Sequence, residues 1–306
     1  MASTAEQRSR SPQRVLVTGA AGKLGSVVTA RLAESGVDVV AVDRVAPGDG
    51  GRPGVSYIVA DLTDPAAVRQ AVAGCDGVVH LAKYSGYSDE AQFSVNTSAA
   101  YNVLAAAADA GIEHAVIASS VCAYGMTFTR RPFSPHYAPV DEDHPLLPQG
   151  SYSLSKVVDE ITGRSFADAF DMSVVALRFH WLAELDEVRT AAARLAAHPE
   201  PPHSKDLWSY TEVTDAARAC ELALEVPTGF HALNICAADT LSTVPTMELL
   251  ARHHPDTEIR GRIEGTDSPW AMNRAREILG FVPQRTWRTA AAGAGGTDAP
   301  TPAIER

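Results

Sequence analysis

From Arg14 to about residue 180, short runs of β-branched and aliphatic residues alternate with longer stretches of helical spacing. The runs at 14–18, 37–42, 55–60, 77–82, 114–118 and 173–177 are brief and mostly apolar, as strands buried on both faces of a parallel sheet must be. Between them, helical patterns run from the glycine turn after Thr18 to about Ala33, from a Thr63-Asp64-Pro65 start signal, and over 89–110. Strands and helices alternating at this pace predict an α/β fold, a doubly wound parallel sheet. Further on, helices are expected over 216–224 and 271–279, the latter stopped by Gly280, and a strand over 230–235. Residues 1–13 and 289–306 are expected to be disordered tails, the second from its Ala/Gly/Thr/Pro composition.

The junction of the first strand and helix carries candidate chemistry. Thr18 runs into Gly19-Ala20-Ala21-Gly22-Lys23-Leu24-Gly25, a strand, glycine turn and helix in succession. Glycines let the backbone approach a pyrophosphate, and the free N–H groups of the helix start favour its charge. A phosphate-binding Walker loop is excluded, because Gly22-Lys23 is followed by leucine. Asp43 ends the second strand about 20 residues on, where a carboxylate binds the adenosine ribose and repels a 2′-phosphate. That favours NAD, while the neighbouring Arg44 leaves NADP open. In such sheets ligands sit at the carboxyl ends of strands, where Gly19, Asp43, Asp61, Ala82 and Ser120 all fall.

Tyr152 and Lys156 stand four apart in a run that can be helical, so they share a face one turn apart. A free phenol has a pKa of about 10. A nearby cation favours the phenolate, and a phenol so tuned can exchange a proton with an alcohol or carbonyl.

The net charge of -11 argues against nucleic acid or an anionic membrane as the main partner. No apolar run approaches the ~20 residues of a membrane span. Residues 1–14 are polar and lack the apolar centre of a signal peptide. Four separated cysteines read as reduced thiols, not as a disulfide frame or zinc site. A cytoplasmic protein without a metal is expected.

The ordered set of motifs resembles the extended short-chain dehydrogenase/reductases, also called the NAD-dependent epimerase/dehydratase family. The matching stretches are 17–25, Ala60-Asp61-Leu62, His80-Leu81-Ala82, Asn96 with its helix, Ala118-Ser119-Ser120-Val121-Cys122-Ala123-Tyr124-Gly125, and Tyr152-Ser153-Leu154-Ser155-Lys156. The resemblance implies a Rossmann-like dinucleotide-binding core over 14–180 and a small C-terminal substrate lobe, mostly 181–288, with segments returning to the core. It implies a cofactor site comprising Gly19, Ala21, Gly22, Lys23, Leu24, Gly25, Asp43, Arg44, Asp61, Leu62, Leu81, Ala82, Lys83 and Asn96, together with Tyr152 and Lys156. Asp61 and Leu62 would flank the adenine and Asn96 the nicotinamide ribose. Tyr152 would move the proton, Ser120 hold the reacting oxygen, and Lys156 tune Tyr152 and bind the ribose. Substrate contacts are sought at Tyr84, His136, His180 and Trp181. The proline-rich insertion 126–151 either folds over a small-molecule substrate or presents Arg130-Arg131 as a solvated surface pair, and Cys122 is expected to be a bystander.

Hydride transfer at a secondary alcohol or ketone of a sugar-like or polyol substrate is the implied reaction. Trp181 stands where nucleotide-sugar enzymes run on differently, which points toward uronate or polyol dehydrogenases. The rivals are an NDP-sugar epimerase with retained NAD, and a nucleotide-sensing protein without turnover. Family members are often homodimers through helices equivalent to 96–110 and 151–170.

Overall fold

The computed structural model describes residues 11–46, 51–86, 88–197 and 204–289. The expected tails therefore fall outside the described residues, apart from 11–13 and 289. At Gln13 the chain is already fastened, its backbone N–H donating to the Asp76 carboxylate at 2.9 Å.

Eleven strands are present among the described residues: β1 Arg14–Thr18, β2 Asp38–Asp43, β3 Val55–Val59, β4 Gly77–His80, β5 His114–Ser120, β6 Tyr137–Ala138, β7 Ser173–Phe179, β8 Leu182–Ala183, β9 Thr211–Glu212, β10 Gly229–Ile235 and β11 Glu258–Ile259. Seven of them form one parallel sheet in the order β10-β7-β5-β4-β1-β2-β3. The helices are α1 Lys23–Glu34, α2 Pro65–Val72, α3 Asp89–Asp109, α4 Ser151–Phe170, α5 Leu185–Ala197, α6 Val213–Ala223, α7 Thr246–His253 and α8 Asn273–Leu279.

The expected alternation is present, and the period-2 geometry of the strands builds two cores from it. Val15, Val17, Val39, Ala41 and Val79 face α1, α6 and α8. Leu16, Val40, Val42 and Val78 face α2, α3 and α4. Start signals work as read: the Asp64 side chain accepts from Ala66 N–H with Pro65 opening the helix. Ser88 does the same for α3. Because the chain runs from β1 outward in one direction to β3, then returns to β4 and outward to β10, the switch point lies between β1 and β4. A crevice opens there at the strands' carboxyl ends.

A third core is assembled from distant segments, with Trp208, Tyr210, Val140, Leu249 and Trp270 at its centre. The insertion contributes to it: β6 pairs with β11, and Tyr137, Ala138 and Val140 are buried. Only the start of the insertion, at Thr127 and Phe128, lines the cavity, and the rest packs into the lobe core. Helices α5 and α7 were not legible in the sequence, and both pack one apolar stripe on this lobe core (Val188 and Leu195, Leu249 and Leu250). His254 is buried against Ser134 and the Ser204 carbonyl.

Candidate active site

Along the switch point runs a cavity of about 1470 Å³. One end is the turn after β1. Gly22 opens α1 without a side-chain cap, and no acidic residue stands in the first turn, so its N–H groups face the crevice uncompensated. Gly19 has φ +68°, and a Cβ there would come within 2.7 Å of Ala82 N. At Gly25 a Cβ would stand 2.8 Å from Ala20 Cα. The backbone is thus packed to a distance only glycine permits, which leaves a cradle for a pyrophosphate.

Ala21 lies outside the cavity lining. Its N–H donates to Asp43 Oδ2 at 3.0 Å, while Asp43 Oδ1 accepts from Arg44 N–H at 2.7 Å. The carboxylate is so held at the crevice wall. The Arg44 guanidinium stacks 5.4 Å from the Tyr84 ring centroid. Asp61 accepts from the Thr63 backbone and hydroxyl, bonds that hold its carboxyl below the usual range. Asn96 lines the cleft, but its amide is spent locally, accepting from Tyr84 N–H at 2.7 Å and donating to Tyr84 O at 3.3 Å. Leu62, Leu81 and Ala82 complete this half of the wall. Lys23 reaches across to Glu187 of α5, closing on its carboxylate at 2.5 Å.

The other end is built on α4 and the end of β5. Glu160 ties them: it accepts from Ser119 Oγ at 2.6 Å and holds Arg178 of β7 through both carboxylate oxygens, at 2.8 and 2.7 Å. This buried pair fixes the roll of α4, and with it Tyr152 and Lys156, which both line the cavity with Ser120. The Ser120 hydroxyl accepts from Cys122 N–H at 3.1 Å and stands close enough to Tyr152 to favour its phenolate. Lys156 is buried, donating to the Ala118 carbonyl at 2.8 Å and to Asp159 Oδ2 at 3.1 Å.

Burial pushes the Tyr152 phenol above its ordinary value, and the pull of Lys156 only partly offsets it. The lowering expected from sequence is therefore reversed in sign, because spacing alone carries no information about burial. Burial also works against the Lys156 charge, yet Asp159 and Tyr152 hold its ammonium above the usual range. His80, locked to Thr18 Oγ1 at 2.8 Å, is driven down to about 3 by burial and by Lys156, so it stays neutral.

The substrate expectations divide. Tyr84, His180 and Trp181 line the cavity; His136 does not. The His136 ring packs 5.1 Å from His144, and its backbone N–H donates to His144 Nε2. His180 accepts from Trp181 N–H through Nδ1 at 2.7 Å, and its Nε2 meets the Asp206 carbonyl at 2.8 Å, a packed histidine that forms wall. Cys122 lines the cavity, and burial pushes its thiol up, in keeping with a chemical bystander. Sequence reasoning missed Asp159, although its place three residues after Lys156 was a readable signal. It also missed Glu187, whose partner is 164 residues away.

A model of the NAD dependent epimerase/dehydratase family matches residues 15–236. The chain belongs to this family. It is 27% identical over 311 residues to a UDP-glucose 4-epimerase of Corynebacterium glutamicum, spanning 89% of this chain and 92% of that one. It is 33% identical over 183 residues to an L-arabinose 1-dehydrogenase (NAD(P)(+)) of Haloferax volcanii, over 58% and 70% of the two chains. Among solved structures, MoeE5 in complex with UDP-glucose and NAD shares 27% identity and a TM-score of 0.65, over 89% of this chain and 94% of that one. The family's cofactor is NAD, and the cradle at Gly19 and Gly25 with the uncapped start of α1 fits a dinucleotide. The family's enzymes are NAD-dependent epimerases and dehydrogenases.

Proposed function

We propose that the protein is an NAD-dependent dehydrogenase acting on a secondary alcohol, or the corresponding ketone, of a sugar-like or polyol substrate. The observation that carries this reading is the convergence of Ser120, Tyr152 and Lys156 at the far end of a cleft whose near end is the glycine turn. Bound NAD supplies the hydride acceptor. Tyr152, as phenolate, takes the hydroxyl proton while the C–H pair leaves as hydride; in reverse the phenol returns the proton to the carbonyl oxygen. Ser120 holds that oxygen. Lys156 supplies positive charge below the phenol and positions the ribose. Asp43 prefers the unphosphorylated ribose of NAD, and Arg44 gives NADP a foothold.

The departure at Trp181, where nucleotide-sugar enzymes run on differently, favours a small substrate, whereas a relative binds UDP-glucose with NAD. Incubation with NAD and a panel of neutral aldoses, polyols and uronates tests the reading. NADH formation that disappears in Tyr152→Phe supports it, and an undiminished Tyr152→Phe overturns it. A second reading, sugar epimerisation with retained NAD, is favoured by the near full-length match to a UDP-glucose 4-epimerase; it would give an isomer without net NADH. We place the enzyme in the cytoplasm as a homodimer, supported by exposed Tyr101 on α3 and Leu154, Ile161 and Phe170 on the adjacent α4. Light scattering of Ile161→Glu against the native chain tests the dimer.

A further inference from the structure

Two ammonium groups lie close to the ring of Tyr152. Lys156 Nζ, on α4, lies 5.9 Å from its centroid. Lys83 Nζ lies 5.3 Å from the same centroid, reaching in from the loop that follows β4. The two are not equivalent. Lys156 is buried and committed, to the Ala118 carbonyl and to the Asp159 carboxylate. Lys83 lines the open cavity and has no hydrogen-bond or ion-pair partner among the described residues.

We propose that Lys83 is a positioning residue of the catalytic apparatus: the second cation whose charge over the Tyr152 ring lets the phenolate form in a buried site. The assignment rests on Tyr152 being the proton-moving group.

The charges around Tyr152 decide how readily its phenolate forms. The groups facing Tyr152 are Lys156 and Asp159 from its own helix, Ser120 and Cys122 from the end of β5 and the turn after it, and Lys83 from the loop after β4. Cys122 is neutral, since burial pushes its thiol up. His80, behind Lys156, is neutral as well. Glu160 is matched by Arg178. Lys156 pulls on the phenol more strongly than its partner Asp159 pushes, Asp206 adds a carboxylate on the Cys122 side of the cavity, and Lys83 is the second cation beside the ring.

Lys83 brings a further positive charge to within 5.3 Å of the Tyr152 ring centroid, and that charge favours the phenolate over the neutral phenol. Without it, a buried phenolate is left to Lys156, whose charge is shared with Asp159, and a poorly compensated buried anion is an arrangement proteins avoid. The step involves no redox change: the phenolic O–H breaks, the electron pair stays on Oη, and the proton passes to solvent through the cavity. Lys83 itself is under strain in the resting state. Burial and the like charge of Lys156 both hold its ammonium below the usual range, and a negative charge on the neighbouring phenol would offset that repulsion.

The test is the ultraviolet difference titration of the phenolate in the native chain, Lys83→Met, Lys83→Gln and Lys83→Arg, each measured against the same chain carrying Tyr152→Phe. No substrate is needed. The two neutral variants should raise the Tyr152 midpoint by about one pH unit, the lower end of the effect of a charge at this range. Lys83→Arg should keep it near the native position. Where NADH formation is measurable, the ascending limb of kcat/KM against pH should move alkaline by the same amount. An unmoved midpoint in both neutral variants overturns the proposal, including the case where they only raise the KM for NAD or substrate. Failure of the underlying assignment reads out separately, as full activity in Tyr152→Phe with the titration still interpretable.

Discussion

Lys156 Nζ lies 3.1 Å from Asp159 Oδ2, three residues further along α4, with both side chains buried. The lysine that a Tyr-x-x-x-Lys reading treats as a free cation is therefore one half of an ion pair. Its partner carboxyl is itself raised by burial against the pull of Lys156.

Replacing Asp159 by Asn keeps the shape and removes the anion. The phenol of Tyr152 then feels Lys156 undiluted, and the ascending limb of kcat/KM against pH should move acid-ward by about one pH unit. Breaking a buried pair also costs stability, up to about 3 kcal/mol with Asn still able to accept a hydrogen bond. Urea unfolding alongside the pH profile separates the two effects. A limb that stays in place would show that Asp159 only holds α4 together.

His80 should make the fold acid-sensitive. Its folded pKa, about 3, lies below the ordinary 6.5, so the unfolded chain binds the proton more readily. Stability from this group is complete above pH 6.5 and declines as pH falls toward 3. Between pH 7 and pH 5 the loss is about 2 kcal/mol. In His80→Gln the difference between urea unfolding energies at these two pH values should shrink by that amount, even though the variant is less stable at both.

At Gly25 a methyl group meets the Gly19 backbone, with Gly19 C at 2.7 Å. Gly25→Ala should spread the turn, lowering stability by about 1–3 kcal/mol and NAD affinity by at least about tenfold. Calorimetric titration with NAD at a temperature where the variant is folded checks it. Unchanged affinity would mean that the turn does not hold the pyrophosphate.

In the proposed cofactor site Asp43 and Arg44 act in opposite directions on the choice between NAD and NADP. Asp43→Ser removes the charged acceptor of a ribose hydroxyl and the repulsion toward a 2′-phosphate. The preference for NAD over NADP in kcat/KM should fall about tenfold or more. Arg44→Ser should move it the other way. Identical ratios in both variants would place the adenosine ribose elsewhere.

What the amino-acid sequence determined was everything carried by local pattern. Six apolar runs, their turns and their helix starts dictated a doubly wound sheet, because buried parallel strands and capped helices leave signatures within a few residues. The glycine turn, Asp43, Ser120, Tyr152 and Lys156 were legible for the same reason: each sits at a strand end or on one helix face. Tertiary structure decided how these groups are charged and what surrounds them. Only burial could reverse the sign of the shift at Tyr152, remove His136 to a packed cluster, occupy His180 and Asn96 with backbone groups, and bring Lys83 over the ring from 69 residues away in sequence. Local periodicity records which face of a segment is apolar, whereas the electrostatics of a site depend on desolvation and on partners distant in the chain.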